Sequence, residues 1–142
     1  MLSYRRLNSD DTKSIQDIVK LFRNQNISYD KAISFINNPT IVLYAAFDED
    51  QVCGYVLCYQ LTRMDLGNDI FLIYHVFVLE AYQRHHIASK LLQMALDYAN
   101  ECKLHYVFLI TQTSNVAANA LYQKMGGYHH PDNKELYYWY IE

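Results

Sequence analysis

The sequence predicts an α/β fold, a mixed central β-sheet flanked on both faces by about four helices, on the strength of three observations. Three runs, TIVLYAAF (40–47), QVCGYVLCYQL (51–61) and DIFLIYHVFVLE (69–80), are almost continuously apolar and rich in β-branched and aromatic residues. They are too apolar for a sheet with one wet face. Apolar residues at helical spacing precede and follow these runs. The second half reads strand, helix, strand, and a crossover helix joins strands that lie parallel, so the sheet is mixed.

Taken in order, LSYRRL (2–7) suits a first strand, and DDTKSIQDIVKLFRNQ (10–25) places Ile15, Ile18, Val19 and Phe22 on one helical face behind an Asp/Thr start. SYDKAISFINN (28–38) is a second short helix, stopped by Pro39, which restricts the residue before it. The acidic turn DED (48–50) joins the first two apolar runs into a β-hairpin, and the polar loop TRMDLGND (62–69) leads to the third. From Ile87 the spacing Ile87, Leu91, Ala95, Tyr98, Cys102 marks an amphipathic helix. LHYVFLIT (104–111) reads as a buried strand and NVAANALYQKMGG (115–127) as a helix closed by glycine. ELYYWYIE (135–142) reads as a last strand, and its tyrosines would also suit a homodimer interface. Four glycines, two prolines and no linker or repeat predict a single domain over residues 1–142.

Twelve Lys plus Arg against fifteen Asp plus Glu give a net charge of -3, with no basic excess to screen phosphates, which argues against nucleic acid as the main partner. No uncharged apolar run approaches the roughly 18 residues that span a bilayer. The start MLSYRRLNSDDTK lacks the apolar segment of a signal peptide, so a cytoplasmic protein without a membrane partner is expected. Cys53, Cys58 and Cys102 are odd in number and form no CxxC pair, which predicts reduced thiols rather than disulfides or a zinc site. The histidine pairs His85-His86 and His129-His130 are adjacent, so the two rings of each pair face different ways, and no metal is expected.

Chemistry concentrates in YQRHHIASKLLQMAL (82–96), where a strand passes through a short loop into a helix N-terminus. The first backbone N–H groups of a helix are unpaired and its dipole favours negative charge, so a pyrophosphate would be held there with help from Arg84 or Lys90. The dipole supplies only about 0.3 to 1 kcal/mol per charge, so several N–H contacts are required. A capped helix that binds nothing is the plainer alternative.

With NVAANALYQKMGG, this stretch resembles the GNAT superfamily of acetyl-CoA-dependent N-acetyltransferases. Its Q/R-x-x-G-x-G/A loop is matched by Gln83, Arg84, His85, His86, Ile87 and Ala88, followed by Ser89, and its later N-x-x-A-x-x-L-Y-x-K-x-G pattern by Asn115, Ala118, Leu121, Tyr122, Lys124 and Gly126. The resemblance covers nearly the whole chain, and YAAFDEDQVCGYV, IFLIYHVFV and ALYQKMG look most like the aminoglycoside 3-N-acetyltransferase branch. It implies the GNAT fold, acetyl-CoA as acetyl donor and a primary amine as acceptor, which attacks the thioester directly without metal or covalent intermediate. Two departures stand out. His86 occupies the usual glycine position, so either the loop shifts or the imidazole swings outward. His75 stands where the aminoglycoside branch is acidic, and Asn115 and Val116 replace its later acidic pair, which removes carboxylates that a polycationic sugar requires.

The resemblance further implies roles. Backbone at Phe77 and Val78 would meet the thioester and pantetheine, the loop residues with Asn115 and Lys124 would hold the donor, and Tyr122 would protonate the leaving thiolate. His75, whose pKa class suits neutral pH, is the candidate base, with a hydrogen-bonded core histidine as the alternative. Glu80 is a second candidate. Tyr29, Tyr44, Tyr74 and the loop with Asp65 and Asp69 would border the acceptor, although a solvated turn accounts for both aspartates. A catalytically silent acyl-CoA-binding module and a protein-interaction module of the same fold are the rivals to an enzyme.

Overall fold

The computed structural model describes residues 1–130 and 135–141. The chain forms two compact units, Met1–Ile110 and Thr111–Glu142.

The first unit is built on a five-stranded sheet in the order β1 (Leu2–Arg6), β2 (Ile41–Asp48), β3 (Gln51–Leu61), β4 (Ile70–Val78) and β5 (Val107–Phe108). The first four strands are antiparallel neighbours and β4 runs parallel to β5, giving the expected mixed sheet. Helices α1 (Thr12–Arg23) and α2 (Tyr29–Ile36) cover one face, burying Ile15, Ile18 and Ala32 against Leu43, Ala45, Phe47 and Tyr55. Helix α3 (Ile87–Glu101) packs against β2, β3 and β4 and buries Ile87, Leu91, Leu92, Ala95 and Ala99. With both faces covered, Val42, Val56, Cys58 and Phe71 are inaccessible, which is why these strands read as continuous apolar runs.

Local chemistry sets the helix ends. Asn8 and Asp11 form a reciprocal capping box on the 3₁₀ turn Ser9–Asp11 that precedes α1, and Arg5 holds Asp11 at 2.6 Å. Asn24, left-handed at φ 53°, ends α1. The Ser28 side chain accepts from the Lys31 N–H at the start of α2. In the second unit, Asn115 caps α4 (Val116–Lys124), and Gly126, at φ 89°, follows its end.

Two strands differ from expectation. The run 104–111 forms a strand only at Val107–Phe108, because β5 pairs with β4 through just Phe71↔Val107 and Leu72↔Phe108 before the two part. The run 135–142 was expected as a last strand. Residues 135–141 form none, and Leu136 to Ile141 are exposed, since a two-residue β5 offers almost no ladder to extend; Glu142 lies outside the described residues. The three cysteines are free, with Cys53 and Cys58 buried and Cys102 exposed. No described helix is long and apolar enough to cross a membrane.

At Gly54 the absence of a side chain lets Ile87 of α3 pack tightly on the sheet. A Cβ there would meet the Phe77 carbonyl oxygen at 3.1 Å and Ile87 Cγ2 at 3.2 Å. Gly54→Val is therefore expected to destabilise the protein by about 1–3 kcal/mol through overpacking, read as a lower denaturation midpoint at unchanged slope.

Candidate active site

β4 carries an extra residue. Leu57 pairs with His75 and its neighbour Cys58 with Ile73, so Tyr74 has no partner and the strand bulges there. The bulge turns two consecutive side chains to the same face, and the Tyr74 and His75 rings lie 4.2 Å apart. Tyr59 meets Tyr74 edge-on at 5.5 Å, and Tyr55 meets His75 at 6.4 Å. From α1, Phe22 stacks on Phe77 at 6.2 Å and meets Tyr55 edge-on at 4.9 Å.

His75 is half-buried, and its Nδ1 is 3.5 Å from the Tyr55 hydroxyl oxygen, at the outer limit of a hydrogen bond. Burial, and secondarily the Arg23 guanidinium, hold its pKa below the usual histidine value. The ring is thus neutral at pH 7, with a lone pair on one nitrogen able to accept a proton. Burial pushes the Tyr55 phenol up to about 12, so its hydroxyl keeps its proton.

Past Leu72, β4 has no partner on its β5 side among the described residues. Phe77 and Val78 lie in this unpaired stretch, immediately before the turn into α3. In that turn, residues 83–86 are exposed, Arg84 and His86 adopt left-handed φ values of 67° and 61°, and no side chain caps α3. The first-turn N–H groups of Ile87, Ala88 and Ser89 are the helix's orphan donors, and the Ser89 hydroxyl is turned back onto the His86 carbonyl at 2.9 Å. Alternating left-handed residues with unpaired N–H groups make an anion-binding concavity. The histidine at the glycine position keeps the left-handed backbone that a glycine would take, and the residue is exposed, in keeping with an outward-turned imidazole.

The turn is tied down from behind. The Tyr82 hydroxyl donates to Asp48 on the β2–β3 hairpin at 2.7 Å, the Leu79 N–H donates to the Cys53 carbonyl, and Gln83 Nε2 donates to the Val78 carbonyl. The Tyr82 hydrogen bond, then the N-terminal amine, hold the Asp48 carboxyl below the usual range. Glu80 is exposed in the 3₁₀ turn Glu80–Tyr82.

The first unit thus brings together His75, Tyr74, Phe77 and Val78 on β4, just before the loop residues Gln83 to Ser89. Tyr29 opens α2 and is exposed. Tyr44 does not join the His75 face: its charged and polar neighbours are Arg6, Tyr98, Cys58 and Glu101, on the α3 side, because alternation along β2 sends it there. Asp65 is paired with Arg63 and accepts the Gly67 N–H, whereas Asp69 accepts a hydrogen bond from the neutral Gln60 amide. In the second unit, the Asn115 Oδ1 is committed to the Ala118 N–H, Lys124 is exposed, and burial raises the pKa of the half-buried Tyr122. Sequence reasoning missed Phe22 as a wall of the site, Arg23 beside His75, and the Tyr82–Asp48 tie. Phe22 was visible only as a core-facing helical residue, and nothing in β4 announced the bulge.

The family model described as "Acetyltransferase (GNAT) family" matches residues 8–127. The chain belongs to this acetyltransferase family. A GNAT acetyltransferase is an acyl-CoA-dependent N-acetyltransferase with acetyl-CoA as donor. Among solved structures, an aminoglycoside acetyltransferase from an uncultured soil metagenomic sample, in complex with sisomicin, superposes with TM-score 0.86 at 18% identity, covering 99% of this chain and 97% of that one. A ribosomal-protein-alanine N-acetyltransferase from Brucella melitensis biovar Abortus 2308 gives 0.75 at 14% identity over 98% and 100%. An aminoglycoside N-acetyltransferase in complex with CoA gives 0.75 at 12% identity over 100% and 95%. These likenesses establish the GNAT fold. No curated protein matches the chain in sequence.

The residues present fit the GNAT donor. Its pyrophosphate calls for converging N–H groups and a cation, and the uncapped α3 turn offers the former beside exposed Arg84.

The lowered His75 pKa has a stability consequence. The unfolded histidine titrates near 6.5 and the folded one lower, so the folded state binds fewer protons between the two values. The contribution from neutral His75 is complete above pH 6.5 and is lost as pH falls toward the folded pKa. Denaturation midpoints at about pH 7.5 and 5.5 should therefore fall more on acidification for the wild type than for His75→Gln.

Proposed function

We propose that residues 1–142 act as one N-acetyltransferase domain that moves the acetyl group of acetyl-CoA to a primary amine by direct attack. The observation that carries this reading is the bulge in β4, which sets a neutral imidazole beside strand backbone that is unpaired on its β5 side and leads into an uncapped helix N-terminus. When bound, the donor supplies an activated thioester carbonyl. The chain's own groups do the rest. The α3 turn, with Arg84 and the backbone from His85 to Ser89, neutralises pyrophosphate, and backbone at Phe77 and Val78, on the side of β4 left without a strand partner among the described residues, orients the thioester.

An alkylamine with a pKa of about 10 reaches the site protonated and must lose a proton before it attacks. His75 accepts that proton at Nε2 if Nδ1–H points to the Tyr55 oxygen, the tautomer that leaves Nε2 free. The new C–N bond forms as the C–S bond breaks. The departing sulfur takes the hydroxyl proton of Tyr122, the tyrosine of the family pattern, whose pKa burial raises, and the second ammonium proton, released from the acylated nitrogen, restores that hydroxyl. Lys124 assists donor binding, Asn115 acts through the α4 cap it makes, and Tyr29, Tyr74 and Glu80 border the acceptor.

Release of CoA thiol, followed over a broad panel of primary amines, tests the proposal. Tyr122→Phe should lower kcat by roughly 10²- to 10⁴-fold with acetyl-CoA affinity retained, and His75→Ala should lose the limb of the pH–rate profile that reports deprotonation of the base. Binding of acetyl-CoA without turnover of any amine would instead mark a silent acyl-CoA-binding module. An unchanged profile in His75→Ala would remove the histidine from the base role.

A further inference from the structure

Building on the acetyltransferase reading above, the chemistry of the acceptor can be drawn from the face on which His75 lies. That face is a continuous aromatic stripe. Tyr59 meets Tyr74 edge-on at 80°, Tyr74 and His75 are tilted by 31° at 4.2 Å, His75 and Phe77 by 35° at 4.9 Å, and Phe22 stacks on Phe77 at 14°. The stripe is reachable, with Tyr74 53% and Phe77 40% exposed. Large aromatic surface is normally buried, so an accessible row of rings beside a candidate base is a ready contact for another flat apolar group.

Charge points the same way. The ionised side chain nearest this stripe along α1 is Arg23, which follows Phe22 directly, and among the described residues it forms no salt bridge. No residue of the stripe is a carboxylate, and the two loop aspartates that sequence reasoning offered to a cation are held by Arg63 and Gln60. An acceptor with several ammonium groups would lose hydration to this surface, find in Glu80, past the end of β4, one counter-charge for all of them and meet a guanidinium. One amine on an aromatic body loses far less and gains edge and face contacts, with the Tyr74 ring available to its ammonium before the proton leaves.

We infer that the acceptor is an arylalkylamine, a single primary amine on a flat aromatic body, seated along Tyr59, Tyr74, His75 and Phe77, and that polyamines and aminoglycosides are poor substrates. The test compares 2-phenylethylamine, spermidine and kanamycin as acceptors for the full chain with saturating acetyl-CoA. The expected kcat/KM is at least about tenfold higher for 2-phenylethylamine. Tyr74→Ala, at an exposed position, should raise KM for 2-phenylethylamine about tenfold with little change in kcat, while Tyr74→Phe restores the wild-type KM. Equal or better use of spermidine or kanamycin overturns this inference and leaves the acetyltransferase reading intact. A wild-type KM in Tyr74→Ala likewise overturns it. Failure to bind acetyl-CoA in calorimetry, or binding with no amine acetylated, overturns the acetyltransferase reading and this inference with it.

Discussion

One extra residue in β4 is the constraint on which the site depends. With Tyr74 unpaired between His75 and Ile73, the ladder to β3 shifts by one, and the alternation of side chains is broken at that point alone. Before the bulge, Phe71 faces α3 and meets Tyr98. After it, His75 and Phe77 face α1 and meet Tyr55 and Phe22. Without the extra residue, His75 would share the phase of Phe71 and Ile73 and face α3, away from the aromatic stripe. On its other side, β4 loses its β5 partner beyond Leu72, so among the described residues β3 is the strand partner of the bulged segment.

Two kinds of polar group are thereby set on one strand and the turn that follows it. At the α3 turn, donors outnumber acceptors: left-handed Arg84 and His86, orphan N–H groups and no capping side chain favour an anion. On the His75 face the imidazole is kept neutral by burial and by a nearby guanidinium, and the surrounding rings supply contact area without charge. The turn keeps its place because Tyr82 is hydrogen-bonded to Asp48 and Leu79 to Cys53, which fastens it to the β2–β3 hairpin rather than leaving it to the loop's own stiffness.

Much of this was legible in the sequence. Continuous apolar runs identified strands covered on both faces, helical spacing from Ile87 located α3, and QRHHIA with NVAANALYQKMG indicated the family whose model matches residues 8–127. What escaped is long-range. A bulge built from Tyr and His has no glycine to announce it, and its consequence depends on register with β3. Arg23 and Phe22 come to His75 only through the packing of α1. The expected last strand, ELYYWYIE, had strand-forming residues but almost no partner ladder, so propensity alone misled over 135–141. The question posed by His86 is one of backbone conformation, which sequence can raise and only φ can answer.

The central claim is that the α3 turn binds acetyl-CoA although a histidine occupies its glycine position. A calorimetric titration of the whole protein with acetyl-CoA, at about pH 6 and about pH 8, tests it most directly. Saturable one-to-one binding is predicted at both values, because the backbone N–H donors of the α3 turn do not titrate. Absence of binding at both would mean that YQRHHIASKLL is only a helix start, and the account of the site would fall.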